Sequence, residues 1–126
     1  MENENRYQYK MDDGIVIQYF KGPVNIDDII SSWDNLFRKE IVHPGLKGVI
    51  SDFTGAGLDI EMKDLLTMRE FLLKNSKLVK SLCLAQVVDS PKIVMPLYFE
   101  NENPEFTTRG FSTLEAAKMW ILDSCP

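Results

Sequence analysis

The stretch from Lys47 to Asp59, Lys-Gly-Val-Ile-Ser-Asp-Phe-Thr-Gly-Ala-Gly-Leu-Asp, constrains the fold more than any other part of the chain. Val49 and Ile50 are adjacent β-branched residues, bounded behind by His43-Pro44-Gly45 and ahead by Thr54-Gly55-Ala56-Gly57. A short apolar run between such boundaries reads as a buried strand that enters a glycine loop and then a helix. This strand is expected at the centre of a sheet, with the loop after it as the principal functional ground.

The segments on either side repeat that alternation. Tyr7, Tyr9 and Met11 alternate with polar residues, the period of a half-buried strand, and Asp13-Gly14 supplies the positive φ angles of a tight hairpin. Ile15 to Phe20 pairs back antiparallel and is apolar enough for burial on both faces. Lys21-Gly22-Pro23 is expected to end it, and Asn25 to cap a helix whose stripe is Ile26, Ile29, Ile30, Trp33, Leu36 and Phe37. Trp33, on that stripe, reads as core. A second helix is expected from Met62 to Asn75, buried through Leu65, Met68 and Leu72 and widened by Leu66 and Leu73. Leu82 to Val88 is a further inner strand. Ser90-Pro91 opens a third helix that Pro96 must shorten or kink. Phe106 to Phe111 gives an edge strand, and Ser112-Thr113-Leu114-Glu115 a capping box for a last helix bearing Ala117, Trp120 and Ile121. Alternation of this kind predicts an α/β fold with one mixed sheet of about five strands. Its first strand is antiparallel and four strand–helix units follow, all in one domain over residues 1–126.

Chemistry-bearing motifs are few. The single histidine, His43, sits in a Pro-Gly turn, and there is no Cys-x-x-Cys spacing, so neither a metal site nor a triad nucleophile is expected. Gly55-Ala56-Gly57 lacks the third glycine of a dinucleotide fingerprint and the Lys-Ser/Thr of a P-loop, and no cofactor is expected. Asp52 reads as a strand-end carboxylate accepting nearby amides rather than half of an acid–base pair. A net charge of −5 disfavours nucleic acid as a partner. Lys74, Lys77 and Lys80 suit a helix C-terminus. Ile93 to Phe99, the longest apolar run, is far too short to span a bilayer, and a cytoplasmic chain is expected. Cys83 reads as a core residue and Cys125 as an exposed one, with no disulfide between them.

The order of these pieces resembles the SpoIIAA-like, or STAS-like, family of small bacterial domains related to anti-sigma-factor antagonists. The features that carry the likeness are the Asp13-Gly14 hairpin, the Gly22 turn into a capped helix, Val49-Ile50-Ser51-Asp52, and Phe111-Ser112-Thr113-Leu114-Glu115-Ala116-Ala117 with Trp120. The likeness covers residues 7–122. It implies a βα superhelix without catalysis or cofactor. In antagonists of that family an Asp-Ser-Ser-Gly motif carries the phosphorylated hydroxyl directly before its glycine. Asp52 and Gly55 match the ends of that motif and Thr54 stands at the phosphoacceptor position, while Phe53 replaces the first serine. Leu58, Asp59, Ile60 and Glu61 then intervene before the helix.

Two roles follow. The first is a non-enzymatic module that meets an unidentified protein partner through Asp52, Phe53, Thr54, Gly55 and Gly57. Met95, Tyr98 and Phe99 on the proline-broken third helix would add a second contact or a homodimer interface. The alternative is a binder of a small molecule or lipid tail in an apolar pocket between the third helix and the sheet.

Overall fold

The computed structural model describes residues 7–89 and 106–125. Five strands form one sheet in the order β1-β2-β3-β4-β5: β1 (Tyr7–Asp12), β2 (Ile15–Asn25), β3 (Gly48–Asp59), β4 (Cys83–Val87) and β5 (Thr107–Phe111). β1 is antiparallel to β2 and every other neighbouring pair is parallel, as the alternation of elements predicts. The described helices are α1 (Ile26–Arg38), α2 (Met62–Lys74), the single turn α3 (Ser76–Val79) and α4 (Leu114–Ser124). The expected third helix, with Met95, Tyr98 and Phe99, lies outside the described residues.

Local chemistry sets the element ends. Asp13 and Gly14 take φ of 55° and 78°, the left-handed pair that a two-residue hairpin needs. Asn25 caps α1 by accepting from the Asp28 amide at 3.0 Å, while the Asp28 carboxylate accepts from the Asn25 amide at 3.0 Å. At α4 the cap falls one residue later than the sequence suggests: Thr113, not Ser112, accepts from the Ala116 amide.

The sheet separates two apolar layers. On one side Val16, Phe20, Val49, Phe53 and Leu84 pack against Ile29, Trp33 and Leu36 of α1 and Met68 and Leu72 of α2. On the other, Ile15, Ile17, Ile50, Ala85 and Val87 pack against Ala117 and Ile121 of α4. Leu66, expected to widen the buried face of α2, is 59% exposed. Its position lies about 100° round the helix from Leu65, off the stripe that Leu65, Met68 and Leu72 form. Tyr9 and Met11 are also exposed, so of the alternating apolar residues of β1 only Tyr7 packs against the core.

Cys83 and Cys125 are joined in a disulfide with a Cα–Cα distance of 6.3 Å, which corrects the expectation of two unpaired thiols. The pairing is a consequence of topology. Ala117 and Ile121 seat α4 on the face of β4 that carries Cys83, and the helix end brings Cys125 over it. The bond ties the last turn of α4 to an inner strand.

One polar row crosses the apolar sheet. Gln18, Ser51 and Gln86 are register partners on β2, β3 and β4. Ser32 of α1 donates to Gln18 Oε1 at 2.5 Å, and Gln18 Nε2 donates to Ser51 Oγ at 3.0 Å. Gln18, Ser32 and Ser51 are all buried, and hydrogen bonding within the row offsets the cost of taking them out of water.

Candidate functional site

The expected glycine loop is a strand. β3 continues through Thr54, Gly55, Ala56 and Gly57 to Asp59, because β2 also continues and supplies a partner: Lys21 pairs with Gly55, Gly22 with Ala56 and Pro23 with Gly57. β4 and β5 stop short of this level, so β2 and β3 project beyond them as a parallel ribbon.

A bulge marks the start of the ribbon. Tyr19 pairs with Asp52 and Lys21 with Gly55, so Phe53 and Thr54 together face the single residue Phe20. Phe53 points inward, buried, and stacks on Phe20 with ring centroids 4.8 Å apart. Thr54 and Gly55 then both face outward, which strict alternation would forbid, and alternation resumes with buried Ala56 and exposed Gly57. The Asp52 carboxylate accepts from the Thr54 amide at 3.0 Å and from its hydroxyl at 2.7 Å. Asp52 thus takes the amide-accepting part expected of it, within a bulged strand rather than at a loop. A Cβ on Gly55 would lie 3.3 Å from the Phe20 carbonyl, tight against the neighbouring strand.

Asp52, Phe53, Thr54, Gly55 and Gly57 therefore stand together on one ribbon, with Phe53 as its buried anchor and the others partly or fully exposed. Thr54 is five residues short of the strand's end, and α2 begins only at Met62 behind its cap, Glu61. No cluster of three or more metal-ligating side chains occurs among the described residues. His43 is exposed in its turn, where Nδ1 accepts from the Gly45 amide.

An apolar recess lies between α1, α2 and the sheet, with Trp33, Phe53, Met68 and Leu84 among its walls. The pocket expected between the third helix and the sheet involves a segment outside the described residues. The floor of the recess includes Ser51 and Gln86, two residues the sequence reading passed over. The available signal was a lone polar residue inside each of two apolar strands, Val-Ile-Ser and Leu-Ala-Gln-Val.

No family model and no curated protein sequence matches the chain. Solved structures do. A putative anti-sigma factor antagonist from Thermotoga maritima is 16% identical, with 97% of this chain and 99% of that one covered at a TM-score of 0.64. An uncharacterised Shewanella loihica protein with a SpoIIAA-like fold is 12% identical over 91% of both chains, with a TM-score of 0.63. An anti-sigma factor antagonist from Mycobacterium paratuberculosis is 15% identical over 93% of both, at 0.60. No described helix is long and apolar enough to cross a membrane. What this chain shares with those proteins, over nearly its whole length, is the SpoIIAA-like fold.

Proposed function

We propose that the chain is a non-enzymatic regulatory module that binds a protein partner through the outward side of the β2–β3 ribbon. The observation that supports this most directly is the bulge. It turns Thr54 and Gly55 outward side by side, leaves the surface almost bare of bulk, and holds the threonine hydroxyl on Asp52. Solved proteins of the same fold include anti-sigma factor antagonists, whose name describes action on another protein.

In this reading Thr54 is the phosphoacceptor. A phosphate on Oγ1 would remove the hydroxyl's donation to Asp52 and add nearly two negative charges beside that carboxylate. The face would pass from one small carboxylate-bearing surface to a far more anionic one, which an acidic partner would reject. A cytoplasmic setting would keep the Cys83–Cys125 pair reduced for most of the time. Self-association through Met95, Tyr98 and Phe99 is the competing use, and a monomer by light scattering at working concentrations removes it.

The test is capture of the partner from the native cell with the wild-type chain, Thr54→Val and Thr54→Glu, together with mass spectrometry of Thr54. The reading expects retention by valine, loss with glutamate, and a phosphorylated fraction of Thr54 in the cell. Equal capture by all three variants would reject the ribbon as the partner face.

A further inference from the structure

We propose that the recess between α1, α2 and the sheet is a binding site for a small neutral alcohol of the phenol class. This does not rest on the partner-binding reading, because the recess lies beneath α1 and α2, on the inner side of the sheet. Its chemistry is specific in three respects. First, none of its lining residues is charged, so an ionised ligand would lose its hydration with no counter-charge in return. Second, its walls include the Trp33 and Phe53 rings and the Met68 thioether, surfaces that suit an aromatic ring. Third, its floor is polar and incomplete. Gln86 Oε1 is buried without a hydrogen-bond partner among the described residues. Beside it in register, Ser51 accepts from Gln18 and retains its own hydroxyl proton to give.

The run Ser32→Gln18→Ser51 is a chain of donors whose last proton is available at the recess. A ligand hydroxyl can donate to Gln86 Oε1 and accept from Ser51 in one pose, which completes the row. The recess measures about 90 Å³, well above the roughly 10–15 Å³ that a single water needs. The half-buried Leu58 and Ile60 also line it and mark its open side, so a single ring can enter hydroxyl first with its far edge at the mouth.

Methyl NMR titration of the full chain with phenol, and with toluene as its apolar near-isostere, tests this. Phenol is expected to shift Ile29, Met68 and Leu84 while leaving Ile15, Ile17 and Ile121 on the opposite layer unmoved. It should bind roughly five- to tenfold tighter than toluene, the net gain left by its two hydrogen bonds once the phenol hydroxyl has been stripped of water. Gln86→Met removes the unpaired acceptor without forfeiting a bond, so the fold should tolerate it, and the phenol preference should fall to about twofold or less, what the Ser51 bond alone can support. Absence of shifts at the recess in the wild-type chain, equal affinity for the two probes, or a preference undiminished by Gln86→Met would each overturn the assignment. Water alone filling the site would give the first of these results.

Discussion

Reduction of the Cys83–Cys125 bond should lower stability by about 4 kcal/mol without unfolding the chain at 25 °C. The bond closes a loop with a sequence separation of 42 residues, and the loss of denatured-state entropy for a loop of that size is roughly 4 kcal/mol. A domain of 126 residues has roughly 6–19 kcal/mol in total, so most such domains survive the loss. With an unfolding entropy of about 2.1 cal/mol/K per residue, the same figure corresponds to a drop in Tm of about 15 °C. The cleaner variant is Cys125→Ala, because Cys125 is only half-buried at the end of α4 whereas Cys83 is core. Ala117 and Ile121 remain buried in the reduced chain, so near-native circular dichroism should persist while the last turn of α4 frays. Urea unfolding of the oxidised, reduced and Cys125→Ala forms measures the difference. The m-value should rise slightly when the cross-link is cut, because the denatured chain can then expand further. Oxidised and reduced transitions that coincide within 1 kcal/mol would refute the argument. So would two titratable thiols that persist after the folded chain has been equilibrated with an excess of oxidised glutathione.

Gly48→Ala should cost about 2–3 kcal/mol in the same assay. The added Cβ would lie 2.6 Å from the Cys83 carbonyl oxygen and 3.0 Å from Ile121 Cδ1, so β3 must move from both β4 and α4. Glu40→Gly should stabilise by about 0.5–1 kcal/mol, because Glu40 is exposed just past α1 with φ of 57°, a conformation glycine adopts without strain. The Asp12–Lys118 pair, with Nζ 2.5 Å from Oδ2, gives a pH signature. The hydrogen bond from Lys118, with its charge, lowers the Asp12 pKa, and the hydrogen bond to Asp12 raises that of Lys118. The Asp12 contribution is therefore present above the unfolded value of about 3.9 and lost as pH falls through the lower folded value. That of Lys118 is present below about 10.4 and lost as pH rises through its higher folded value. The stability gap between wild type and Asp12→Asn should be flat from about pH 5 to 9 and close below about pH 4. A gap that persists at pH 2 would show that the substitution acts by another route.

The sequence made the local signals legible and hid the distant ones. Asp13-Gly14, Asn25 and the stripe of α1 each act within a few residues, so spacing alone reveals the hairpin, the cap and the buried face. The strand directions, one antiparallel pair and then parallel ones, followed from the hairpin and the alternation of elements. The Gly55-Ala56-Gly57 segment was misread for a physical reason. Glycine near a strand end usually marks a turn, and Lys21-Gly22-Pro23 carries the same mark, yet the two segments pair with each other. Neither segment shows its partner locally, and glycine at 55 serves the tight approach to Phe20 rather than a bend. That Asp52, Thr54, Gly55 and Gly57 lie close together was legible from their adjacency in the sequence. Their setting on a bulged ribbon was not, because a bulge depends on two strands being counted against each other. The disulfide was hidden likewise, since only the packing of α4 over β4 brings its ends together.

The polar row across the sheet has a consequence for how the strands find their alignment. Ile15–Gln18, Gly48–Ser51 and Cys83–Ala85 are buried throughout, so inside–outside alternation gives little reason to prefer one offset over the next. Gln18 and Ser51 supply that reason. Slipping β2 by two residues along β3 would keep every side chain on its own face yet set Gln18 opposite Val49 or Phe53. The amide would then be stranded in hydrocarbon at about 1–3 kcal/mol for each lost partner. Gln18 and Ser51 thus act as an alignment mark, penalising the near-miss pairings that an all-aliphatic sheet would tolerate.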